Sequence, residues 1–297
     1  MIARGNTMSQ DRLDSTLDID LMTASDIVRV IQEEDARVTV SVAAERQHIA
    51  QAIEQIADRM RDGGRLFYVG AGTSGRIAML DASELPPTYG IDPTAVQVLM
   101  AGGARAFSSA AEGAEDDEQA GIDAVNDAVR PDDAVVGIAA SGTTPYTVAA
   151  VRRANMLGAL TVAVTSVPDS PLAREADVAI VTETGAEVIM GSSRMKSGTA
   201  QKLVLNTLST GVMIRLGRVY SNLMIDMPAT NEKLRRRALR MVELASGAPR
   251  EVAFRALQGG AGNLREAAVM AGLGVSAEVA RQMLEQSRGD LRSLLKR

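Results

Sequence analysis

The 297-residue chain is 46% hydrophobic but only 2% aromatic, has no Trp, and carries a net charge of −5. It is long enough for one large domain plus a small one. Without aromatic platforms or excess positive charge it does not fit a general nucleic-acid or membrane-surface binder. Net acidity still permits an anionic ligand held by local backbone N–H groups. The absence of cysteine rules out disulfides, thiol catalysis and Cys-ligated zinc. His48 is the only histidine. It stands on an expected helix with no motif around it, and so reads as a surface or structural residue.

In chain order, residues 1–20 read as a polar, loose tail that lacks the apolar core of a signal peptide. From Ser25 to Met60 the pattern is helical, with Ile49, Ile53, Ile56 and Met60 recurring on one face, and Gly63-Gly64 ends it. Short apolar runs then alternate with helical stretches. Leu66–Val69, Val96–Met100, Ala134–Ala139, Leu160–Val164 and Val178–Val181 read as buried strands, with helices such as Asp117–Val129 and Thr147–Leu157 between them. This alternation predicts a three-layer, flavodoxin-like α/β fold: a parallel sheet with helices on both faces. Ligands of such sheets bind where strand C-termini meet helix N-termini. A helix over about Lys196–Leu216, apolar on more than one side, is expected to be buried in the domain or in a dimer interface. Residues 237–297 read as a small C-terminal helical subdomain with helices near Arg240–Ser246, Pro249–Gln258, Leu264–Ala271 and Ala277–Leu295, leaving 21–236 as the sheet domain. No run is apolar and long enough to span a bilayer, so a soluble, cytoplasmic protein is expected.

The first expected strand ends in Gly70-Ala71-Gly72-Thr73-Ser74-Gly75, formally G-x-G-x-x-G. The acidic residue that would hold a dinucleotide ribose is missing, because the second strand ends in Ala101-Gly102-Gly103. Glycines that let backbone N–H groups approach an anion, with the hydroxyls of Thr73 and Ser74 beside them, favour a single phosphate on a helix N-terminus. The third strand ends in Ser141-Gly142-Thr143-Thr144-Pro145. Pro145 suits a first helical position. N-capping accounts for one of these hydroxyls but not three. Two hydroxyl-rich helix starts on neighbouring strands make a phosphate cradle a better reading than a glycine-rich turn with no ligand. Downstream, Glu187 and then Ser192-Ser193-Arg194-Met195-Lys196 precede the long apolar helix as further candidate contacts, although capping and solvated cations would also account for this segment. Among the acids, Glu84 stands near the end of the first sheet-domain helix. Glu112, Glu115, Asp116, Asp117 and Glu118 cluster at the start of another, where carboxylates commonly serve only the helix dipole. Charge and position do not pick the active one.

The segments GAGTSGRIAMLDASELPPTYG (70–90), AEGAEDD (111–117), AASGTTPY (139–146) and GAEVIMGSSRMKSGTAQKLVLNTLSTG (185–211) closely resemble the N-acetylmuramic acid 6-phosphate etherases. The last also resembles a signature shared with the glucokinase regulatory protein, and the sheet domain looks like a sugar isomerase (SIS) domain. The resemblance implies two catalytic glutamates, Glu84 and Glu115, and sugar-phosphate contacts from Gly72, Thr73, Ser74, Ser141, Gly142, Thr143, Thr144, Glu187, Ser192, Ser193 and Lys196. Some relatives carry Arg at the position of Thr143. The implied reaction is cleavage of the C3 lactyl ether to N-acetylglucosamine 6-phosphate and D-lactate, with no cofactor and no metal.

A dialkyl ether resists hydrolysis, but an opened ring exposes a C1 aldehyde that acidifies the C2 proton. One carboxylate can take that proton and one carboxylic acid can assist lactate departure, before water adds at C3. Glu84 is read as the acid and Glu115 as the base. Other classes that the residues admit are a sugar-phosphate sensor without catalysis and an aldose–ketose isomerase. Ser74 and Glu84 lie ten residues apart, roughly 15 Å on a continuous helix at about 1.5 Å per residue. A hexose phosphate does not span that gap from phosphate to C3, so a homodimer with shared sites is expected.

Overall fold

The computed structural model describes residues 11–109, 111 and 113–295. These residues form two compact units. One takes the chain up to Ala82 together with Thr94–Val212, and the other takes Ser83–Pro93 with the chain from Met213 onward.

The first unit is built on five parallel strands: β1 (Leu66–Gly70), β2 (Val96–Met100), β3 (Ala134–Ile138), β4 (Leu160–Thr165) and β5 (Val178–Val181). Their order is β2-β1-β3-β4-β5. Strands β1, β3 and β4 are buried at every position, which accounts for sequences that run apolar without alternation. The helices of this unit are α1 (Ala24–Asp35), α2 (Val38–Ala44), α3 (Arg46–Arg61), the start of α4 (Gly72–Tyr89), α5 (Glu118–Ala128), α6 (Pro145–Leu157), α7 (Pro171–Glu175) and most of α8 (Lys196–Arg215). Val125, Tyr146, Ala150 and Ala154 of α5 and α6 pack with Phe67, Val69 and Val135 of the sheet. On α3, Ile49 and Ile56 are buried and Ile53 and Met60 half-buried, so the expected apolar face is real.

One expectation needs correction, and those for the long apolar helix and His48 hold. The segment before α1 is not wholly loose: Asp14–Thr16 and Ile19–Leu21 form single 3-10 turns, the first held by the Thr16 hydroxyl donating to the Leu13 carbonyl at 3.0 Å. Residues 1–10 lie outside the described residues. The apolar residues of α8 are used inside the chain, since Val204, Leu205, Leu208 and Val212 are fully buried. Against α3, a Cβ on Gly211 would come within 2.5 Å of Ile53. Burial within the unit therefore explains the composition of α8 without an interface. His48 is exposed, and its Nδ1 lies 2.8 Å from Glu45.

The second unit contains α9 (Glu232–Ser246), α10 (Arg250–Gly259), α11 (Leu264–Leu273), α12 (Ala277–Gln286) and α13 (Leu291–Leu294). Ala238, Val242, Ala245, Ala253, Ala267 and Ala280 are fully buried in its core. Small side chains there let short helices approach closely without aromatic bulk. Asn231, Asn263, Ser276 and Asp290 cap four of these helices through side-chain oxygens. No helix among the described residues is long and apolar enough to cross a membrane.

Candidate active site

Strand order changes direction between β1 and β3, which pair in parallel with Gly70 opposite Ile138. The chain leaves the C-terminal ends of these two strands into α4 and α6, at the topological switch point where open parallel sheets present a crevice. Gly72, Thr73 and Ser74 open α4, and Ser141–Thr144 lead into α6, so both expected hydroxyl clusters flank this crevice. The N-termini of both helices add partial positive charge and free N–H groups.

Glycine is required here on steric grounds. A Cβ at Gly75 would lie 2.1 Å from Met100 Sδ and 2.9 Å from the Gly70 carbonyl oxygen, so only glycine lets α4 start this close to β1. Gly142 has φ +65°, and a Cβ there would meet Ser170 Oγ at 2.1 Å. The Ser141 hydroxyl accepts from the Thr143 N–H at 3.2 Å and from the Thr143 hydroxyl at 2.9 Å, which preorders the loop. Thr144 sits at the N-cap of α6 without a side-chain capping bond, so its hydroxyl is not spent on the helix.

The third segment closes on the first. A Cβ at Gly198 would lie 3.7 Å from both Thr73 Cγ2 and the Ser193 carbonyl oxygen, which puts the start of α8 and the Ser192-Ser193 turn beside Thr73. Glu187 and Lys196 differ from the other expected contacts. The Glu187 carboxylate is fully buried and accepts from the N–H groups of Lys196 and Ser197, each at 3.0 Å, capping α8. The Lys196 ammonium, also buried, donates to Glu34 of α1 at 2.6 Å. Their charges hold the Ser192-Ser193 turn in place and face no open space. Arg194 is exposed.

The acidic cluster separates by role. Asp117 caps α5, accepting from the Ala120 N–H at 2.9 Å. Glu118 lies in the first turn of α5. Glu112 lies outside the described residues. Glu115, on the 3-10 turn Ala114–Asp116, lines a cavity of about 230 Å³ together with Gly72, Arg76 and Met100. The structure thus brings one expected carboxylate to the opening of the first glycine loop.

Glu84 is an exposed residue of α4, which runs unbroken from Gly72 to Tyr89. One turn before it, Asp81 is buried and accepts from the Tyr68 hydroxyl at 2.9 Å, Asn206 Nδ2 at 2.6 Å and the Ser209 hydroxyl at 3.0 Å, tying α4 to β1 and α8. Burial raises the pKa of Asp81, and the three donors and Lys202 pull against that rise. Burial and the neighbouring Asp81 charge push the Tyr68 phenol well above its ordinary value.

Two groups were missed from sequence. Arg76, one turn into α4, lines the Glu115 cavity and donates to the Ser109 carbonyl at 3.1 Å. Its signal was its place one turn after the glycine loop. Ser166, just past β4, has a buried hydroxyl with no partner among the described residues, while its N–H donates to the carbonyl of Ala140 next to the Ser141 loop at 2.9 Å.

Comparison with known proteins fits this geometry. The N-terminal SIS domain of the glucokinase regulatory protein matches residues 48–155, and the SIS domain matches residues 102–210. The N-acetylmuramic acid 6-phosphate etherase of Symbiobacterium thermophilum is 57% identical over 262 residues, covering 88% of this chain and 87% of its own. The etherase of Salmonella agona is 47% identical over 294 residues, 98% of each chain. The chain belongs to the N-acetylmuramic acid 6-phosphate etherase family. Among solved structures, a Bacteroides fragilis protein described as a phosphosugar isomerase of capsule formation superposes with a TM-score of 0.50 at 23% identity, over 67% of this chain and 98% of that one, which shows the SIS fold. In this etherase the switch-point crevice is therefore the place where an SIS sheet meets the two hydroxyl loops.

Proposed function

We infer that the protein cleaves the C3 D-lactyl ether of N-acetylmuramic acid 6-phosphate, as a carbon–oxygen lyase of amino-sugar recycling. The observation that carries the reading at the site is the meeting of Gly72, Arg76 and Glu115 around one cavity at the end of β1 and β2. Residues 21–236 are assigned the sugar-phosphate chemistry, and 237–297 are a helical subdomain with no assigned part in it. The 6-phosphate is held by Gly72, Thr73 and Ser74 at the start of α4 and by Ser141, Gly142, Thr143 and Thr144 at the start of α6, where N–H groups and hydroxyls donate to its oxygens. Ser192 and Ser193 close the third side. Glu187 and Lys196 serve binding by fixing that turn.

Glu115 takes the C2 proton of the ring-opened sugar and Glu84 protonates the departing lactyl oxygen, after which water adds at C3. The proton on C2 is acidic because the C1 aldehyde delocalises the carbanion as an enolate, and elimination then expels the C3 oxygen. The continuous α4 agrees with a homodimer in which Glu84 reaches the neighbour's crevice, and a cytoplasmic location suits a phosphorylated substrate.

Incubation with N-acetylmuramic acid 6-phosphate in heavy water tests the chemistry. Released D-lactate and deuterium at C2 of N-acetylglucosamine 6-phosphate are expected, with the new C3 oxygen drawn from water. Lactate carrying the water oxygen would refute elimination, and hexose phosphates interconverted without lactate would make the protein an isomerase.

A further inference from the structure

The helical unit contains a cavity of about 950 Å³ that the etherase reaction does not use. That volume is in the range of small-molecule sites. Its charged lining is Arg218, Arg265, Arg288 and Arg292 against Asp226 and Asp290, an excess of two positive charges on a chain whose net charge is −5.

The carboxylates are already committed. Asp226 is held by Arg265, whose Nη2 donates to Oδ2 at 2.8 Å and whose Nε donates to Oδ1, with Arg218 a further 3.7 Å from Oδ2. Asp290 caps α13, accepting from the Arg292 N–H at 2.9 Å. Arg265 also donates to the carbonyls of Gly289, at 2.6 Å, and Gly217, so it acts as the frame that joins two sides of the cavity.

Arg288 and Arg292 remain. Both are exposed, and the Arg292 guanidinium lies over the Tyr220 ring, 5.9 Å from its centroid. The Tyr220 ring is itself pinned, because its hydroxyl donates to the Leu295 carbonyl at 3.0 Å. Arg288 adopts φ +52°, in the left-handed region that favours glycine, at the turn that ends α12, where its N–H donates to the Glu285 carbonyl at 3.1 Å. The frame therefore leaves two guanidinium forks without carboxylate partners among the described residues, on a cavity where Asp226 is ion-paired to Arg265 and Asp290 is engaged by a backbone N–H. Forks of this kind match the oxygens of a phosphate.

We propose that this cavity is a second anion site, which binds a phosphate monoester of a small polar molecule independently of the phosphate loops of the sheet unit. Calorimetric titration of the full chain with inorganic phosphate and with N-acetylglucosamine 6-phosphate tests it, because the first carries the charge alone and the second the sugar as well. A Ser74→Ala/Ser141→Ala variant is expected to keep one site per chain for at least one probe. Adding Arg288→Gln/Arg292→Gln is expected to weaken that site at least tenfold, and Arg288→Lys/Arg292→Lys to weaken it less. Arg288→Gln/Arg292→Gln alone is expected to leave lactate release at saturating substrate near wild type. The proposal is overturned if Ser74→Ala/Ser141→Ala binds neither probe at about 10 mM. It is equally overturned if the glutamine pair leaves binding unchanged, or if it stops lactate release, which would place these arginines in the etherase site.

Discussion

Lys196→Met separates two readings of a residue that the sequence placed among the substrate contacts. The Lys196 side chain is 2% exposed and its ammonium donates to Glu34 at 2.6 Å, and the Glu34 side chain is only 5% exposed. Removing one member of such a pair strands the other, at a cost of about 3–5 kcal/mol. Arg37 lies 3.1 Å from the second Glu34 oxygen and offers partial compensation from the surface, so the low end, about 3 kcal/mol, is the better value. For a domain of 150–250 residues that is a fall in Tm of roughly 6–12 °C. The double variant Glu34→Gln/Lys196→Met leaves no unpaired buried charge, only the solvated Arg37, and is expected to recover most of the loss. Thermal melts of the two single variants and the double variant close the cycle. A Lys196→Met chain that melts with wild type but needs far more substrate to reach half its maximal rate would refute the buried-pair account and return Lys196 to the substrate.

Glu84→Gln and Glu115→Gln are both exposed substitutions, so each is expected to keep a wild-type melt and lose about 100- to 10,000-fold in lactate release. Mixed dimers of a Glu84→Gln chain with a Ser74→Ala/Ser141→Ala chain are expected to regain about one working site of two if sites are shared, and none if each chain builds its own. Asp81→Asn removes a charge whose folded pKa is raised, mainly by burial. Such a group binds its proton more tightly folded than unfolded, so its contribution is fully present below its unfolded pKa and fades as pH rises through the folded value. The stability lost on Asp81→Asn, followed by urea midpoints, is therefore expected to shrink as pH is raised from the ordinary aspartate range toward neutrality. A loss that grew over that window would mean that the three donors outweigh burial.

The strands were legible because β1, β3 and β4 are buried on both faces, and double burial writes itself as an uninterrupted apolar run. The hydroxyl loops were legible for a related reason: they follow strand ends, where glycine and threonine have no core to fill. Other features depend on long-range packing that no local window records. Glu34 and Lys196 are 162 positions apart, and only the meeting of α1 with α8 turns a solvated-looking lysine into a buried partner. Glu187 likewise carries the look of a ligand until its two oxygens are found on the N–H groups of Lys196 and Ser197. In the acidic cluster, composition offered five equivalent carboxylates. What distinguishes Glu115 is that Asp117 is taken by the α5 cap while the preceding 3-10 turn places Glu115 on the lining of one cavity with Gly72 and Arg76. The asymmetry is physical: backbone burial is encoded residue by residue, whereas the fate of a charge is decided by the one neighbour that tertiary structure brings to it.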